Sequence, residues 1–366
     1  MAHADPSGTE NYSVRFPDFK KKGFYRDFMG VKISSLGLGT YLGESTDACD
    51  ALYTGAIQTA LVSGINLLDS AVNYRCMRSE RNIGQALGEL IKEGKIRREE
   101  VVVCTKGGFI PFEGNPPADP GKYLQETYIK PGLFGLPDLA AGCHCMTPAY
   151  LRDQVGRSLQ NLGVETIDLY YVHNPETQLE EVPKDEFLKR LEGAFAELEH
   201  CVSEGKIQAY GTATWNGYRV DPTSQECLSL HDILRTAERA AGNTRHHFRA
   251  IQLPFNLGMP EAFILENQVM GAQTVPILQA AKAAEIAVFT SASILQSRLE
   301  KNLPSSVAQA FPALASDAVR AIQFARSAPG VTAALVGMKN KEHVLENLKI
   351  AGAPPADEAA IRGLFS

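Results

Sequence analysis

The sequence predicts an α/β fold, a closed (β/α)8 TIM barrel of eight parallel strands with a helical segment between successive strands. Eight short segments rich in β-branched and aromatic residues alternate with longer segments of helical periodicity along the 366 residues. This alternation is typical of repeated βα units, and eight parallel strands close naturally into a barrel. Polar residues that follow several of the segments agree with this fold, because barrel chemistry gathers at the C-terminal rim of the strands.

The predicted strands are short and are separated by segments long enough for helices. They cover 31–39, 65–69, 101–106, 167–173, 207–213, 248–253, 286–291 and 332–337. Among the helical segments, 50–64 has apolar residues at helical spacing and ends at Gly64. Another begins with Thr147 as a cap before Pro148, the residue type that suits the first helical position. Two more are expected at 191–206 and, interrupted around Pro312, at 305–330.

Three segments do not follow the βα rhythm. Residues 1–25 are expected to form a flexible leader, and 26–366 a single barrel domain. The segment 107–146, after the third strand, is too long for an ordinary βα loop and carries several aromatic residues, so we expect a packed lid that covers the barrel mouth. The irregular segment 254–273 is expected to form a second wall of the mouth.

Composition excludes several classes of protein. A formal net charge of -6 offers no overall attraction for phosphate backbones, so nucleic acid is not an expected partner. No segment approaches the roughly 18 apolar residues of a membrane span, and no secretory signal stands at the N-terminus. The seven cysteines are odd in number and lie in apolar segments, which is typical of reduced thiols in a cytoplasmic protein.

Four polar residues form the predicted catalytic site. Asp69, Lys106 and His173 end three predicted strands, and Tyr74 follows the first of these strands. A phenol titrates near 10, but a neighbouring cation favours the phenolate, so Lys106 is expected to lower the pKa of Tyr74. Asp69 would act as the counter-ion of Lys106, while a ring N–H of His173 could orient a substrate carbonyl. Each residue alone would more often be structural, but four together favour proton transfer to a developing alkoxide.

These residues and their surroundings resemble the aldo-keto reductase superfamily, and the resemblance covers nearly the whole chain. It is carried by GLGTY at 37–41, LLDSAVNY at 67–74, SERNIGQAL at 79–87, CTKGG at 104–108 and LYYVHNP at 169–175. The resemblance implies an NAD(P)H-dependent oxidoreductase that interconverts a carbonyl (aldehyde, ketone or sugar) and an alcohol. In that role Tyr74 is the general acid or base, Lys106 and Asp69 tune it, and His173 orients the carbonyl.

The resemblance also implies a nicotinamide cofactor bound without a Rossmann domain, and the sequence has no convincing GxGxxG motif followed by a ribose-binding acid. NADP is the expected cofactor and NAD is possible. The implied cofactor-binding residues are Gly39, Thr40, Tyr41, Asp69, Thr214, Gln252, Gly337, Met338, Lys339, His343, Glu346 and Asn347.

The sequence departs from the family pattern at three places. Ala213 and Thr214 stand where a Ser-Asn pair usually holds the carboxamide, and Thr290 stands where a tyrosine usually stacks on the nicotinamide ring. His343 occupies the place of the arginine expected near a 2'-phosphate. Lys339 and neighbouring lysines could compensate, but they lack the planar fork of a guanidinium, so NADP is favoured only modestly over NAD.

The tripeptide Cys143-His144-Cys145 does not have the ligand spacing of a structural zinc site, so no metal is expected. Its position at the end of the long segment leads to the hypothesis that His144 contacts polar groups of the substrate.

Two other functions stay open: a nicotinamide-binding redox sensor or regulatory subunit with little turnover, and a cofactor-independent barrel lyase or epimerase that uses Tyr74 and Lys106. The partner expected in the main hypothesis is a small carbonyl or alcohol substrate. Its identity, the physiological direction and the oligomeric state are not determined by the sequence.

Overall fold

A computed structural model describes residues 2–365 and contains a closed parallel barrel. The strands of the described residues are β1 (Tyr25–Phe28), β2 (Val31–Ser34), β3 (Leu36–Gly39), β4 (Leu67–Asp69), β5 (Val102–Gly107), β6 (Leu169–His173), β7 (Tyr210–Ala213), β8 (Phe248–Pro254), β9 (Glu266–Met270), β10 (Gln273–Pro276), β11 (Ala287–Ser291) and β12 (Ala333–Gly337). The barrel has the order β11-β12-β3-β4-β5-β6-β7-β8, and β8 pairs with β11 to close it. The predicted fold class is confirmed.

The helices of the same residues are α1 (Pro6–Val14), α2 (Pro17–Lys21), α3 (Asp47–Ser63), α4 (Arg78–Lys92), α5 (Pro120–Leu124), α6 (Pro148–Leu162), α7 (Lys184–Ser203), α8 (Leu230–Ala241), α9 (Glu261–Ile264), α10 (Ile277–Ala283), α11 (Ser305–Ala310), α12 (Asp317–Ser327), α13 (Lys341–Asn347) and α14 (Glu358–Arg362). Short 3-10 or π turns lie at Arg98–Glu100, Gln125–Ile129, Leu136–Asp138, Pro175–Glu180 and Leu348–Gly352. None of these described helices has the length and apolar character needed to cross a membrane.

Helix ends agree with the sequence in one case and differ in another. The helix α3 stops at Gly64, whose φ of 116° is the left-handed conformation that glycine adopts without a steric penalty. Thr147 does precede α6 and Pro148, but its hydroxyl donates to the backbone oxygen of Leu133, 2.8 Å away, instead of accepting from the helix. Thr147 therefore ties α6 to the long segment before it.

Residues 6–14 and 17–21 are helical, so the prediction of a flexible leader over 1–25 is wrong for the described residues; Met1 lies outside them. Asp5 caps α1 by accepting from the backbone N–H of Gly8 at 2.6 Å. Tyr12 is fully buried, and its hydroxyl donates to the carbonyl of Leu61 at 2.7 Å. The predicted strand 31–39 also divides at Ser35 into β2 and the barrel strand β3.

The antiparallel pair β1-β2 closes the N-terminal end of the barrel. Phe28, Val31 and Ile33 pack with the first residues of barrel strands, such as Leu67 and Val102. Because apolar side chains fill this end, a ligand can enter only from the C-terminal end of the strands.

The long segment 107–146 packs beside the barrel more than across its mouth. Tyr128 and Phe134 form a separate apolar cluster with Cys145 and with Tyr150 of α6. Phe109 alone of this segment lines the cleft described below. The expected packing of the aromatic residues is therefore found, but the cover over the mouth is limited to Phe109.

The second expected wall lies elsewhere. Residues 254–273 form mainly α9, β9 and the turn into β10, and no residue of 255–273 lines the main cleft. The wall is made instead by the end of β11 and the loop after it, where the cleft is lined by Ser291, Ala292, Ser293, Ile294, Gln296 and Ser297. The prediction of a wall at 254–273 is wrong.

Candidate active site

The four predicted catalytic residues meet at the C-terminal rim of the barrel. Asp69 is the last residue of β4, Lys106 the penultimate residue of β5, and His173 the last residue of β6. These strands are neighbours in the barrel, so their ends lie side by side. Tyr74 lies in the turn between β4 and α4.

Lys106 and Asp69 form a buried ion pair. The Lys106 Nζ lies 2.6 Å from Asp69 Oδ2 and 2.7 Å from the carbonyl oxygen of Ser70, and both side chains are buried. Burial lowers the pKa of Lys106, but the negative charge of Asp69 and the nearby Tyr74 outweigh this effect and leave that pKa raised. Lys106 is therefore a fixed cation at neutral pH.

Tyr74 lies between this cation and the open cleft. Its ring centroid is 5.1 Å from Lys106 Nζ, and the ring of Tyr41 contacts it edge-on with 4.9 Å between centroids. Tyr74 lines the cleft together with Asp69 and His173, whereas Lys106 lies beneath the surface. The phenol is thus placed to exchange a proton with a molecule in the cleft.

The net pKa shift of Tyr74 is opposite to the one expected from the sequence. Burial raises this pKa above its ordinary value, while the charge and hydrogen bonding of Lys106 lower it and the charge of Asp69 raises it. Lys106 acts in the expected direction, but desolvation of the phenolate outweighs it. At neutral pH the Tyr74 hydroxyl therefore keeps its proton, which is the form a general acid requires.

A turn of left-handed backbone follows Tyr74. The φ angles of Arg75, Cys76 and Met77 are 49°, 56° and 69°, values that non-glycine residues rarely adopt. Arg75 secures this turn, because its Nη2 lies 2.5 Å from Asp50 Oδ1 on α3. The turn fixes the position of the phenol relative to the rim.

His173 is a neutral ring that packs against Tyr74. The two ring centroids are 5.7 Å apart with the rings nearly perpendicular, and the ring of Phe109 lies 5.1 Å away on another side. Burial, and then the positive charge of Lys106, hold the pKa of His173 well below its ordinary value. A neutral imidazole can donate one hydrogen bond to a carbonyl oxygen without carrying a charge.

The cleft above these residues has a volume of about 490 Å³, which is within the range of small-molecule sites. Its lining includes the majority of the predicted cofactor-binding residues: Gly39, Thr40, Tyr41, Asp69, Thr214, Gln252 and Gly337. Gln252 Nε2 donates to Asp69 Oδ1 at 2.9 Å, which directs the amide oxygen of Gln252 away from that carboxylate. The Thr214 hydroxyl donates to the backbone oxygen of Gln252 at 3.3 Å.

The remaining predicted cofactor residues lie outside the cleft. Met338 is fully buried in the apolar core, so neither its side chain nor its backbone is open to a ligand in the cleft. Lys339 precedes α13 and His343 belongs to it, and both are exposed. Farther along α13, Glu346 is half-buried and Asn347 is buried.

Trp215 is a cleft residue that sequence reasoning missed. It is 44% exposed, and it lines the cleft after β7, which is separated from β11 by β8 alone. Its backbone is held by the buried Glu176, whose Oε1 accepts from the N–H groups of Trp215, Asn216 and Gly217 at 2.7, 3.1 and 3.3 Å. A lone tryptophan just after a predicted strand was the available signal.

His144 does not contact the cleft, so the hypothesis that it binds substrate is wrong. It is fully buried, and both ring nitrogens have protein partners: the carbonyl oxygen of His173 and the amide of Gln178. Cys143 is exposed and Cys145 is buried. Among residues 2–365, no group of three or more histidine, cysteine, aspartate or glutamate side chains is arranged to hold a metal ion.

A comparison with models of protein families identifies the family of this chain. The model of the aldo/keto reductase family matches residues 35–224, which is more than half of the chain and includes all four rim residues. The chain belongs to this family.

The NADH-specific methylglyoxal reductase of Escherichia coli K12 is 31% identical over 188 residues, which are 50% of this chain and 49% of that protein. Prostaglandin F synthase 1 of Bos taurus is 26% identical over 196 residues, 51% of this chain and 49% of that protein. The chain thus spans about half the length of the curated relatives it matches.

Solved structures of aldo-keto reductases share the fold. The enzyme of Klebsiella pneumoniae in complex with NADP and acetate superimposes with a TM-score of 0.62 at 18% identity, over 94% of each chain. The holo form of an aldo-keto reductase from Bacillus halodurans gives 0.59 at 18% identity, over 93% of this chain and 95% of that one. At such identities the likeness shows the fold alone.

Proposed function

We propose that this protein is an NADPH-dependent reductase, also able to use NADH, that interconverts a carbonyl and an alcohol. The observation that carries the proposal is the meeting of Tyr74, the Lys106-Asp69 ion pair and His173 beside an open cleft. Family membership supports it, as do the NADP bound to the Klebsiella pneumoniae enzyme and the reductase activity named for the Escherichia coli relative.

The cleft fits a nicotinamide cofactor. Gly337 lines it, and a Cβ built on Gly337 would meet no protein atom within 4 Å, so glycine leaves this space free. The Gln252 amide oxygen, turned away from Asp69, is an acceptor suited to a carboxamide N–H, and Thr214 adds a hydroxyl beside it. Gly39, Thr40 and Tyr41 would form the facing wall. The reduced cofactor, when bound, supplies hydride to the carbonyl carbon.

Farther along, the proposed adenosine end involves Lys339, His343, Glu346 and Asn347, and it leaves out the buried Met338. The ammonium of Lys339 would attract a phosphate, and the exposed imidazole of His343 stands near it in sequence. Neither side chain offers the bidentate fork of arginine, which is the reason for expecting only modest selection of NADPH over NADH.

In the proposed reduction, the protein's own groups act on the carbonyl oxygen. A ring N–H of His173 would orient the carbonyl, and the protonated Tyr74 would donate its proton as negative charge develops on that oxygen. Lys106 would stabilise the resulting phenolate, and Asp69 would keep Lys106 in place through the 2.6 Å contact. In alcohol oxidation the same phenolate would accept the proton.

A screen of aldehydes, ketones and sugars, monitored by oxidation of NADPH or NADH, tests this proposal. We expect carbonyl-dependent oxidation of both cofactors and a lower Kd for NADPH. Cofactor binding with negligible turnover would instead support a redox sensor. Isomerisation or elimination by protein that binds neither cofactor would support a lyase or epimerase. Tighter binding of NADH would refute the cofactor preference.

A further inference from the structure

His144 lies directly behind His173. The His144 side chain is fully buried, and its Nε2 is 2.7 Å from the backbone oxygen of His173. The ring of Phe109 contacts both imidazoles edge-on, with centroids 5.2 Å from His144 and 5.1 Å from His173. The tripeptide of residues 143–145 therefore contacts the active site through His173 and does not line the cleft.

The proton on His144 can be assigned from its partners. Arg190 Nη1 donates to Gln178 Oε1 at 2.7 Å, and a guanidinium cannot accept, so the Gln178 amide nitrogen must point the other way. That nitrogen lies 3.0 Å from His144 Nδ1, which must then be the acceptor. Nδ1 is therefore unprotonated, and the proton on Nε2 is donated to the carbonyl of His173.

Gly108 leaves room for the hydrogen bond between His144 and the backbone of His173. Gly108 has a φ of 148°, and a Cβ on it would lie 2.8 Å from both His144 Nε2 and the backbone oxygen of His173. Any other residue at position 108 would push the two groups apart. Just after His173, Asn174 has a φ of 43°, so the chain leaves the barrel strand at this point.

The side chain of His173 has little anchoring of its own. Its Nδ1 is buried and finds no hydrogen-bond partner in the part of the chain that the structure describes. The orientation of the ring is therefore set by its backbone and by the rings of Tyr74 and Phe109. A small movement of the His173 carbonyl would displace the ring nitrogen that faces the cleft.

We propose that His144, held by Gln178 and Arg190, is a positioning residue that fixes His173 in the orientation needed to bind the substrate carbonyl. The role rests on the proposed reductase function, since it acts through His173. His144 touches neither the cleft nor Tyr74, so it positions the site without contacting substrate. Burial keeps His144 neutral by lowering its pKa to about 4, so the arrangement persists through the physiological range.

The kinetic test compares His144→Leu, His144→Gln and, as a matched control, the exposed neighbour Cys143→Ser, all as full-length protein with saturating NADPH. Leucine removes the donor to His173, whereas glutamine keeps an N–H at a similar distance along the side chain. We expect His144→Leu to lower kcat about tenfold, equivalent to about 1.4 kcal/mol in the activation barrier. The Kd of NADPH should stay within about twofold, because no residue proposed to hold the cofactor contacts His144. His144→Gln should recover kcat to within about threefold of the unsubstituted protein, and Cys143→Ser should match it.

Each other outcome overturns the proposal. An unchanged kcat in His144→Leu shows that His173 needs no such support, and an equal loss in His144→Gln shows that ring packing matters instead of the hydrogen bond.

Nitrogen NMR of histidine-labelled unsubstituted protein gives a test that needs no folded leucine variant. The resonances lost in His144→Gln should belong to a ring protonated at Nε2, and protonation at Nδ1 would refute the assignment. The tautomer is independent of turnover, so failure of the reductase function would be seen separately, as absence of carbonyl-dependent activity in the unsubstituted protein.

Discussion

Acid should destabilise this protein through His144. Burial lowers the pKa of His144 from 6.5 to about 4, so between these values the unfolded chain binds a proton that the folded protein does not. Stability therefore falls as the pH drops below about 6.5, and the loss is complete near pH 4. At about 1.4 kcal/mol per pKa unit, the free energy of unfolding should fall by about 2 kcal/mol at pH 5 and by about 3 kcal/mol in all.

The assay is urea unfolding of the unsubstituted protein and of His144→Gln at several pH values between about 7 and 4.5. Carboxylates and His173 titrate in both proteins, so their contributions cancel to a first approximation in the difference between the two curves. The unsubstituted protein should lose about 2 kcal/mol more than His144→Gln between pH 7 and pH 5. Parallel curves would show that His144 is protonated as readily in the folded state as in the unfolded state, and would refute its description as a buried neutral imidazole.

Two further predictions concern buried carboxylates at the rim. Lys106→Met leaves Asp69 buried without its cation, so the free energy of unfolding should fall by about 3 kcal/mol. The variant should also lose about 100-fold or more in kcat. An unchanged urea midpoint would contradict the ion pair. Glu176→Leu removes the acceptor of the backbone N–H groups of residues 215–217, so this segment should become more mobile. The free energy of unfolding should fall by about 2 kcal/mol, and the KM for bulky carbonyls should rise about tenfold. The exposed Glu180→Gln is the control, and equal KM values in both variants would refute the anchoring role.

The barrel and the meeting of the four rim residues could be predicted because their signals are local. A buried parallel strand is a short apolar segment, and a polar residue at its end must lie at the rim once the strands align. Asp69, Lys106 and His173 carry this signal, and Tyr74 follows one of them closely in sequence. Their catalytic roles remain a proposal.

The parts that were missed depend on contacts between distant residues. The N-terminal segment forms the helices α1 and α2, which no pattern in the sequence predicted. Tyr12 of α1 is buried because it contacts Leu61, which lies 49 positions away in the sequence. The loop that walls the cleft has φ angles of 53° at Ala292 and 47° at Leu295, and neither residue type signals a left-handed turn.

The expected decrease in the pKa of Tyr74 is wrong for a similar reason. The sequence places a lysine near the phenol but does not state how far the phenol is removed from water. In the folded protein desolvation outweighs the lysine, so the pKa of Tyr74 rises although Lys106 opposes the change. The role of His144 was also hidden, because its partners Gln178 and His173 lie 34 and 29 positions along the chain.

The most direct test of the account is single-turnover carbonyl reduction by Tyr74→Phe with NADPH bound, alongside Tyr123→Phe as a tyrosine outside the cleft. The loss of the phenolic proton should lower the rate of the chemical step about 1,000-fold while the Kd of NADPH changes by less than about twofold. Tyr123→Phe should behave like the unsubstituted protein. A Tyr74→Phe variant that keeps more than about a tenth of the rate would show that another group supplies the proton, and would contradict the central claim.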